Sequence, residues 1–306
     1  EMVRSDWSSD VCSSDLEDAA DKAAVDAMRR TLNELDINGT VVIGEGERDE
    51  APMLYIGEQV GSGDGPEVDI ALDPLEGTSI TACGGQNAMA VLAMADKGSF
   101  LYAPDVYMKK LAVRDGVELT PEDLDAPIVN ILQKAAISKG GKIEDLMVCI
   151  LDRPRHEDLI REVRETGARI TLIKDGDVSA VISAADPMSV IDVYVGTGGA
   201  PEGVLAAAAL QCIGGNMVGK LVFRNDGERA RASKVGITDF NKIYTLNELA
   251  KPNNVIFAAT GVTDGTMLPG VHRLPQAATT HSVVMRSKSG TVRRIEARHN
   301  FSRKPA

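Results

Sequence analysis

The run from Val68 to Thr81, VDIALDPLEGTSIT, ends an apolar strand on Asp73, places Glu76 three residues later and turns at Gly77-Thr78. Pro74 stands between the two carboxylates and Gly77 follows the second, so the corner that holds them is conformationally fixed. Other strand ends are equally acidic. TVVI runs into GEGERDE, which supplies Glu45, Glu47, Asp49 and Glu50, and the loop at 196–203 carries Glu202 between Pro201 and Gly203 where a helix begins. Asp21 lies at the front of the first helix. Two carboxylates brought within ~5 Å at an effective dielectric of ~20 repel by ~3 kcal/mol. A gathering of several therefore needs protons or bound cations, and hard divalent ions such as Mg²⁺ or Mn²⁺ favour carboxylate, carbonyl and water oxygens. Gly46, Gly77, Gly199 and Gly203 suit loops where backbone approaches an ion or a phosphate closely.

Each acid also has an ordinary explanation. Glu47 and Glu50 read as solvated loop charges, Asp73 could cap a turn, and Glu202 could favour a helix N-terminus electrostatically. Asp21 taken alone is a first-turn acid. The stretch GSGDG has the look of a phosphate loop but no following Lys-Ser/Thr, and reads as a turn. For Asp73 with Glu76 the metal-site reading leads, because Pro and Gly fix the corner.

The elements that must position these corners follow from hydrophobic period. DKAAVDAMRRTLNEL sets Ala24, Val25, Met28, Leu32 and Leu35 at helical spacing, with Asn38-Gly39 as its stop. APMLYIGEQV is expected to be a second helix with Pro52 in its first turn. NAMAVLAMA and SFLYA read as strands joined at Lys97-Gly98. LMVCIL, RITLI, VIDVYV, NVIFAAT, HSVVM and TVRRIEA read as strands, and HEDLIREVRETG and VLAAAALQCI as helices. Strand, polar corner, helix is the grammar of a layered α/β protein, whose sites gather beyond the carboxyl ends of strands. A weak lobe boundary falls at 119–127.

Composition narrows the function. The 306 residues can bury a sizeable core, and no apolar run approaches the ~18 residues of a membrane span. A net charge of −12 argues against nucleic acid as a partner. Cys12, Cys83, Cys149 and Cys212 lie far apart and form no CxxC pair, so reduced thiols in a cytoplasmic protein are expected. His156, His272, His281 and His299 have no zinc-ligand spacing. Residues 4–16, RSDWSSDVCSSDL, repeat Ser-Asp without any structural period, and 1–16 are read as a non-native tail.

DPLEGT resembles the DPxDGT-type signature of the metal-dependent, lithium-sensitive sugar and inositol phosphatases, with Glu in place of the second Asp. Together with VVIGEGERDEAPMLYIGE, APDVYMKKL, RPRH, DGDV, GGAPEG and NVIFAATGVT, the chain from about Glu17 to Arg303 looks like class II, GlpX-type fructose-1,6-bisphosphatase. The resemblance implies an α/β/α/β/α sugar-phosphatase architecture of two closely packed lobes, with a metal-site lobe at 17–126 and a sugar-phosphate lobe at 127–306. It implies metal binding by Asp21 and Glu45 as one set and by Asp73, Glu76 and Glu202 as another, with Mn²⁺ or Mg²⁺ as cofactor. Asp49 and Thr78 match the pair that positions and activates the attacking nucleophile. Glu76, Gly77, Thr78, Tyr107, Arg153, Pro154, Arg155, Asp175, Gly176, Asp177 and Gly199 match substrate-contacting positions, with Lys110 a weaker candidate for phosphate. The family has a further helix and a Gly- and Lys-containing loop ahead of the Asp21 position, where residues 1–16 stand here.

The activity so implied is hydrolysis of the 1-phosphate of fructose 1,6-bisphosphate in gluconeogenesis, by a homo-oligomer of two or four chains. Sedoheptulose 1,7-bisphosphatase and inositol-monophosphatase-like activities are the enzymatic alternatives. RPRH and DGDV favour a bisphosphorylated sugar over the latter. A sugar-phosphate sensor without turnover is the non-enzyme alternative, and the presence of both Asp49 and Thr78 speaks against it.

Overall fold

The computed structural model describes residues 14–45 and 54–303. Fourteen strands among them form two mixed sheets. The first holds β1 (Asn38–Ile43), β2 (Gln59–Val60), β3 (Glu67–Glu76), β4 (Met89–Asp96), β11 (Ile256–Gly261), β12 (His272–Leu274), β13 (Ala277–Arg286) and β14 (Thr291–Asn300). Its order is β12-β13-β11-β4-β3-β1-β2, with β14 also paired to β13. The second holds β5 (Tyr107–Val113), β6 (Met147–Leu151), β7 (Arg169–Ile173), β8 (Val193–Gly199), β9 (Asn216–Val222) and β10 (Ile243–Thr245), in the order β10-β9-β5-β8-β6-β7. The change of sheet falls between β4 and β5 and is reversed between β10 and β11.

Alternation along the strands builds the layers. In β5, Met108 and Ala112 face one apolar core while Leu111 and Val113 face another. In β3, Ala71 joins the first of these cores, and Ile70 and Leu72 join a third beneath the first helix. That helix, α1 (Ser14–Asn33), contributes Val25 and Leu32 to the third core. Between the sheets lie α5 (Asp177–Ala185) and α6 (Ala200–Ile213), the latter so fully surrounded that Val204 through Leu210 are all buried. On the far face of the second sheet, α3 (Ile128–Lys139) buries Ile131 and Leu132, and α4 (Glu157–Glu165) buries Ile160 and Val163. The order α1, sheet, α5/α6, sheet, α3/α4 is the expected α/β/α/β/α layering. The remaining α-helices are α2 (Thr78–Ala82), α7 (Asp226–Lys234) and α8 (Leu246–Leu249).

Several local expectations are corrected. Within the described part of APMLYIGEQV there is no helix: Leu54 adopts φ 53°, and its carbonyl accepts from the Glu45 amide. Val41 and Glu58 pair across the turn, so the backbone groups a helix would need are spent on β1. SFLYA is not a strand either. The Asp69 carboxylate takes the amides of Gly98 and Ser99, and only Phe100 forms a bridge, to Ala250. Asn38-Gly39 opens β1 rather than stopping α1, which ends at Asn33. Cys83 is disulfide-bonded, against the expectation of a reduced thiol, whereas Cys149 and Cys212 are free and buried. Among the described residues no helix is long and apolar enough to cross a membrane.

Candidate metal and sugar-phosphate site

The DPLEGT corner is a bulge. Opposite β4, Asp73 pairs with Val91 and Glu76 with Met89, so β3 carries one residue more than its partner between these points. In a regular strand, side chains three apart point to opposite faces. The extra residue restores the parity and turns both carboxylates towards one side. Pro74, with no N–H to give the ladder, sits where the pairing is interrupted. Asp73 Oδ1 accepts from the Leu75 amide, which fixes the turn. Gly77 then takes φ 91°, a conformation glycine adopts without strain, and passes the chain into α2.

A cavity of about 430 Å³ opens at this corner. It is lined by Asp73, Glu76, Gly77 and Thr78 from β3 and its turn, by Glu45 after β1, and by Asp21 from α1. β6, β7 and β8 run parallel, and their carboxyl ends deliver the other wall. Arg153 and Arg155 follow β6, Asp175 and Asp177 follow β7, Gly199 ends β8 and Glu202 follows it. Tyr107 enters from the first residue of β5, which pairs with Gly199 on one side and Val222 of β9 on the other. Acids scattered over 180 positions of sequence thus meet in one place.

Glycine makes the close approaches possible. A Cβ on Gly198 would collide with Asp177 Oδ2, and one on Gly199 with Glu202 Oε2. Asp177 and Glu202 stand in the first turns of α5 and α6, where the positive helix ends partly offset their burial. The cluster is nonetheless under electrostatic stress. Burial, then Glu202 and Glu45, push the Asp73 carboxyl well above its ordinary range. Burial, then Asp177 and Asp73, do the same to Glu76. Glu45 is raised to about 7 by burial, Asp21 and Glu202. Glu202 is raised to about 7 by burial and Asp177, against the opposing charge of Lys110. Asp21 is raised by burial and Asp18, and Asp175 by burial and Asp177, the latter with Arg153 opposing.

These donors suit a hard divalent cation. Glu76 Oε1 accepts from the Val178 amide, but its Oε2 is buried without a hydrogen-bond partner, as is Glu202 Oε2. Orphaned carboxylate oxygens are costly unless a proton or cation meets them. Among the described residues, no three acidic, histidine or cysteine side chains are drawn tightly enough to enclose an ion. Mutual repulsion of uncompensated carboxylates acts in that direction. Asp49 lies outside the described residues.

Three expected contact residues sit elsewhere than anticipated. Lys110 does not line the cavity. It is wholly buried, paired through Nζ with Asp177 Oδ2, and donates to the Gly199 carbonyl at 2.9 Å. The alternation of β5 explains this, since Lys110 shares the inter-sheet face with Met108 and Ala112. Tyr194 also donates to Asp177 Oδ2, at 3.1 Å. Pro154 opens the short turn that separates Arg153 from Arg155, and Gly176, at φ 84°, caps α5 between the two aspartates. Neither lines the cavity.

Two features escaped the sequence reading. Asp105 lines the cavity, although it lies inside the quoted segment APDVYMKKL. His156 is buried behind Arg155: its ring bonds the Leu151 carbonyl through Nδ1 and accepts from the Thr197 amide at Nε2, 2.8 Å away. Arg155 donates from Nε and Nη2 to the Thr197 carbonyl, so the N–H and the C=O of one residue in β8 are both held from the RPRH turn. Burial lowers the His156 pKa, which keeps the ring neutral for this role.

The chain is similar to known proteins over nearly its whole length. A family profile described as "Bacterial fructose-1,6-bisphosphatase, glpX-encoded" matches residues 7–299, a span that includes part of the Ser-Asp-rich beginning. "Fructose-1,6-bisphosphatase 1 class 2" of Escherichia coli K12 is 48% identical over 298 residues, covering 93% of this chain and 88% of the relative. "Fructose-1,6-bisphosphatase class 2" of Shigella flexneri matches with the same identity and coverage. On a match that runs nearly end to end, the chain belongs to the bacterial, glpX-encoded fructose-1,6-bisphosphatase family.

Proposed function

We propose that this chain hydrolyses the 1-phosphate of fructose 1,6-bisphosphate, giving fructose 6-phosphate and inorganic phosphate, with Mn²⁺ or Mg²⁺ as cofactor. The observation that carries the reading is the meeting, in one cavity, of a carboxylate cluster with unpartnered oxygens and a wall of arginine, tyrosine and aspartate. Asp21 with Glu45, and Asp73 with Glu76 and Glu202, would hold the ions. Divalent cations bound there would polarise phosphoryl oxygens and lower the pKa of water. The oxygen of water bonds to phosphorus, the bond from phosphorus to the sugar's O1 breaks, and a water proton ends on the released hydroxyl. Thr78 and Asp49 would orient the attacking water. Gly77, which has no side chain, lets the backbone of the corner approach the phosphoryl group.

Arg153 and Arg155 would receive the phosphate that is not cleaved, through planar guanidinium donors. Asp175 and Asp177 would accept from sugar hydroxyls, which rejects analogues lacking them because a buried acceptor is then left unpaired. These roles extend the implied place in gluconeogenesis to named side chains.

Phosphate release from fructose 1,6-bisphosphate, measured with Mn²⁺, with Mg²⁺ and with chelator, is the test. Turnover is expected only with a divalent ion, and Asp73→Asn and Thr78→Ala are each expected to lose on the order of 10²-fold or more in kcat. Metal-independent release, or variants as active as the parent, would refute the mechanism. Tight binding of the sugar bisphosphate without release would instead support a sensor.

A further inference from the structure

Tyr107 carries a second guanidinium that the motif does not contain. Arg155 Cζ lies 4.9 Å from the centre of the Tyr107 ring, and Arg224 Cζ lies 5.0 Å from the same centre. Arg224 comes from a different part of the chain, two residues beyond the end of β9. The register that pairs Val222 with Tyr107 brings it there. We propose that Arg224 is a further substrate-binding residue, completing with Arg153 and Arg155 a cationic lip around Tyr107 that takes the uncleaved phosphate. This rests on the reading of that wall as the seat of the distal phosphate.

Its attachment supports a binding role. Glu228, only 1% exposed, accepts from Arg224 Nε and from the Arg224 backbone amide, and forms an ion pair with Nη2. Glu228 is fixed in turn because its own amide donates to Asn225 Oδ1 at the start of α7. The guanidinium is therefore braced from behind, while the Arg224 side chain remains 57% exposed. Nη1 takes no part in that brace, which leaves donors for an anion. A guanidinium fork held in place loses less freedom on meeting a phosphate than a free side chain does. The acids deep in the cavity and the arginines at its lip then match a ligand with one phosphate to be cleaved on ions and one to be held.

A purely structural Arg224 would stabilise α7 through Glu228 and do nothing else. The alternatives separate in steady-state kinetics of the intact enzyme with Mn²⁺. For Arg224→Gln, KM for fructose 1,6-bisphosphate is expected to rise about tenfold or more, the effect of losing a charge-assisted hydrogen bond, with kcat within about twofold of the parent. The inhibition constant of fructose 6-phosphate, which carries only the distal phosphate, is expected to rise by the same factor. That of inorganic phosphate at the reacting position is expected to stay put. Arg224→Lys, which keeps the charge but not the fork, should recover part of the loss.

An unchanged KM, or a fall in kcat with all constants shifted together, would overturn the assignment. Arg155→Gln is the companion variant. If it weakens fructose 6-phosphate while Arg224→Gln does not, only the Arg224 assignment fails. If both are silent, the distal phosphate does not sit at this wall.

Discussion

Glu76→Gln is expected to make the metal-free protein more stable, by about 1–3 kcal/mol at pH 8, while lowering turnover by on the order of 10²-fold or more. Glu76 is buried beside Asp73 and Asp177, and one of its oxygens has no hydrogen-bond partner. At pH 8 the fold must either keep a proton on this group or tolerate an ionised oxygen among like charges. A glutamine removes both costs. Its carbonyl can still accept from the Val178 amide, and its NH₂ offers donors where the carboxylate offered none. The same change deletes a ligand from the cation site, so Mn²⁺ should raise the unfolding midpoint of the parent and do so much less for the variant. Denaturant unfolding with and without Mn²⁺ checks the prediction. A metal-free Glu76→Gln that is less stable than the parent would contradict it.

Two neighbours give this stress a pH dependence. Glu45 and Glu202 sit at about 7 in the fold against an ordinary 4.5. Between those values the folded protein binds more protons than the unfolded chain. Their contribution to stability is therefore greatest below about pH 4.5 and declines as pH rises towards 7. Bound cations replace the protons, so Mn²⁺ should flatten the decline.

The second large effect is expected at Lys110. Lys110→Met keeps much of the aliphatic length but removes the charge, and is expected to cost about 3–5 kcal/mol, the usual result of breaking a buried ion pair from one side. Lys110 is wholly buried, so the loss leaves Asp177 with Tyr194 alone on Oδ2 and the Gly199 carbonyl without its donor. Adding Asp177→Asn removes the stranded charge. The double variant should accordingly lose less than the sum of the two single losses. Chemical denaturation of the four proteins measures this, and a Lys110→Met within about 1 kcal/mol of the parent would show that the pair is not an energetic keystone.

How much of this could be read from the chain depended on the distance over which the signal acts. Asp73, Glu76 and Glu202 were legible because each sits in a corner whose Pro and Gly neighbours set the local backbone. The strands β6, β7 and β8 were legible because short apolar runs bounded by polar turns are local patterns. The bulge was not, since counting parity needs the partner strand: only the pairing with β4 shows why two acids three apart share a face. APMLYIGEQV misled because Leu54 takes a left-handed backbone to meet β1, a tertiary demand that overrides helical spacing. Lys110 misled because a lysine near an active-site motif suggests a surface contact, and burial came only with the second sheet. Arg224 left no local trace at all; its relation to Tyr107 exists only in the register of β5 with β9.

The most direct measurement is the position of Mn²⁺ in crystals of the protein, located by its anomalous scattering. Peaks are expected inside the cavity, within about 2.0–2.4 Å of carboxylate oxygens of Asp73, Glu76 and Glu202, with a further peak near Asp21 and Glu45. Peaks confined to other surfaces, in crystals whose dissolved protein still releases phosphate from fructose 1,6-bisphosphate, would contradict it.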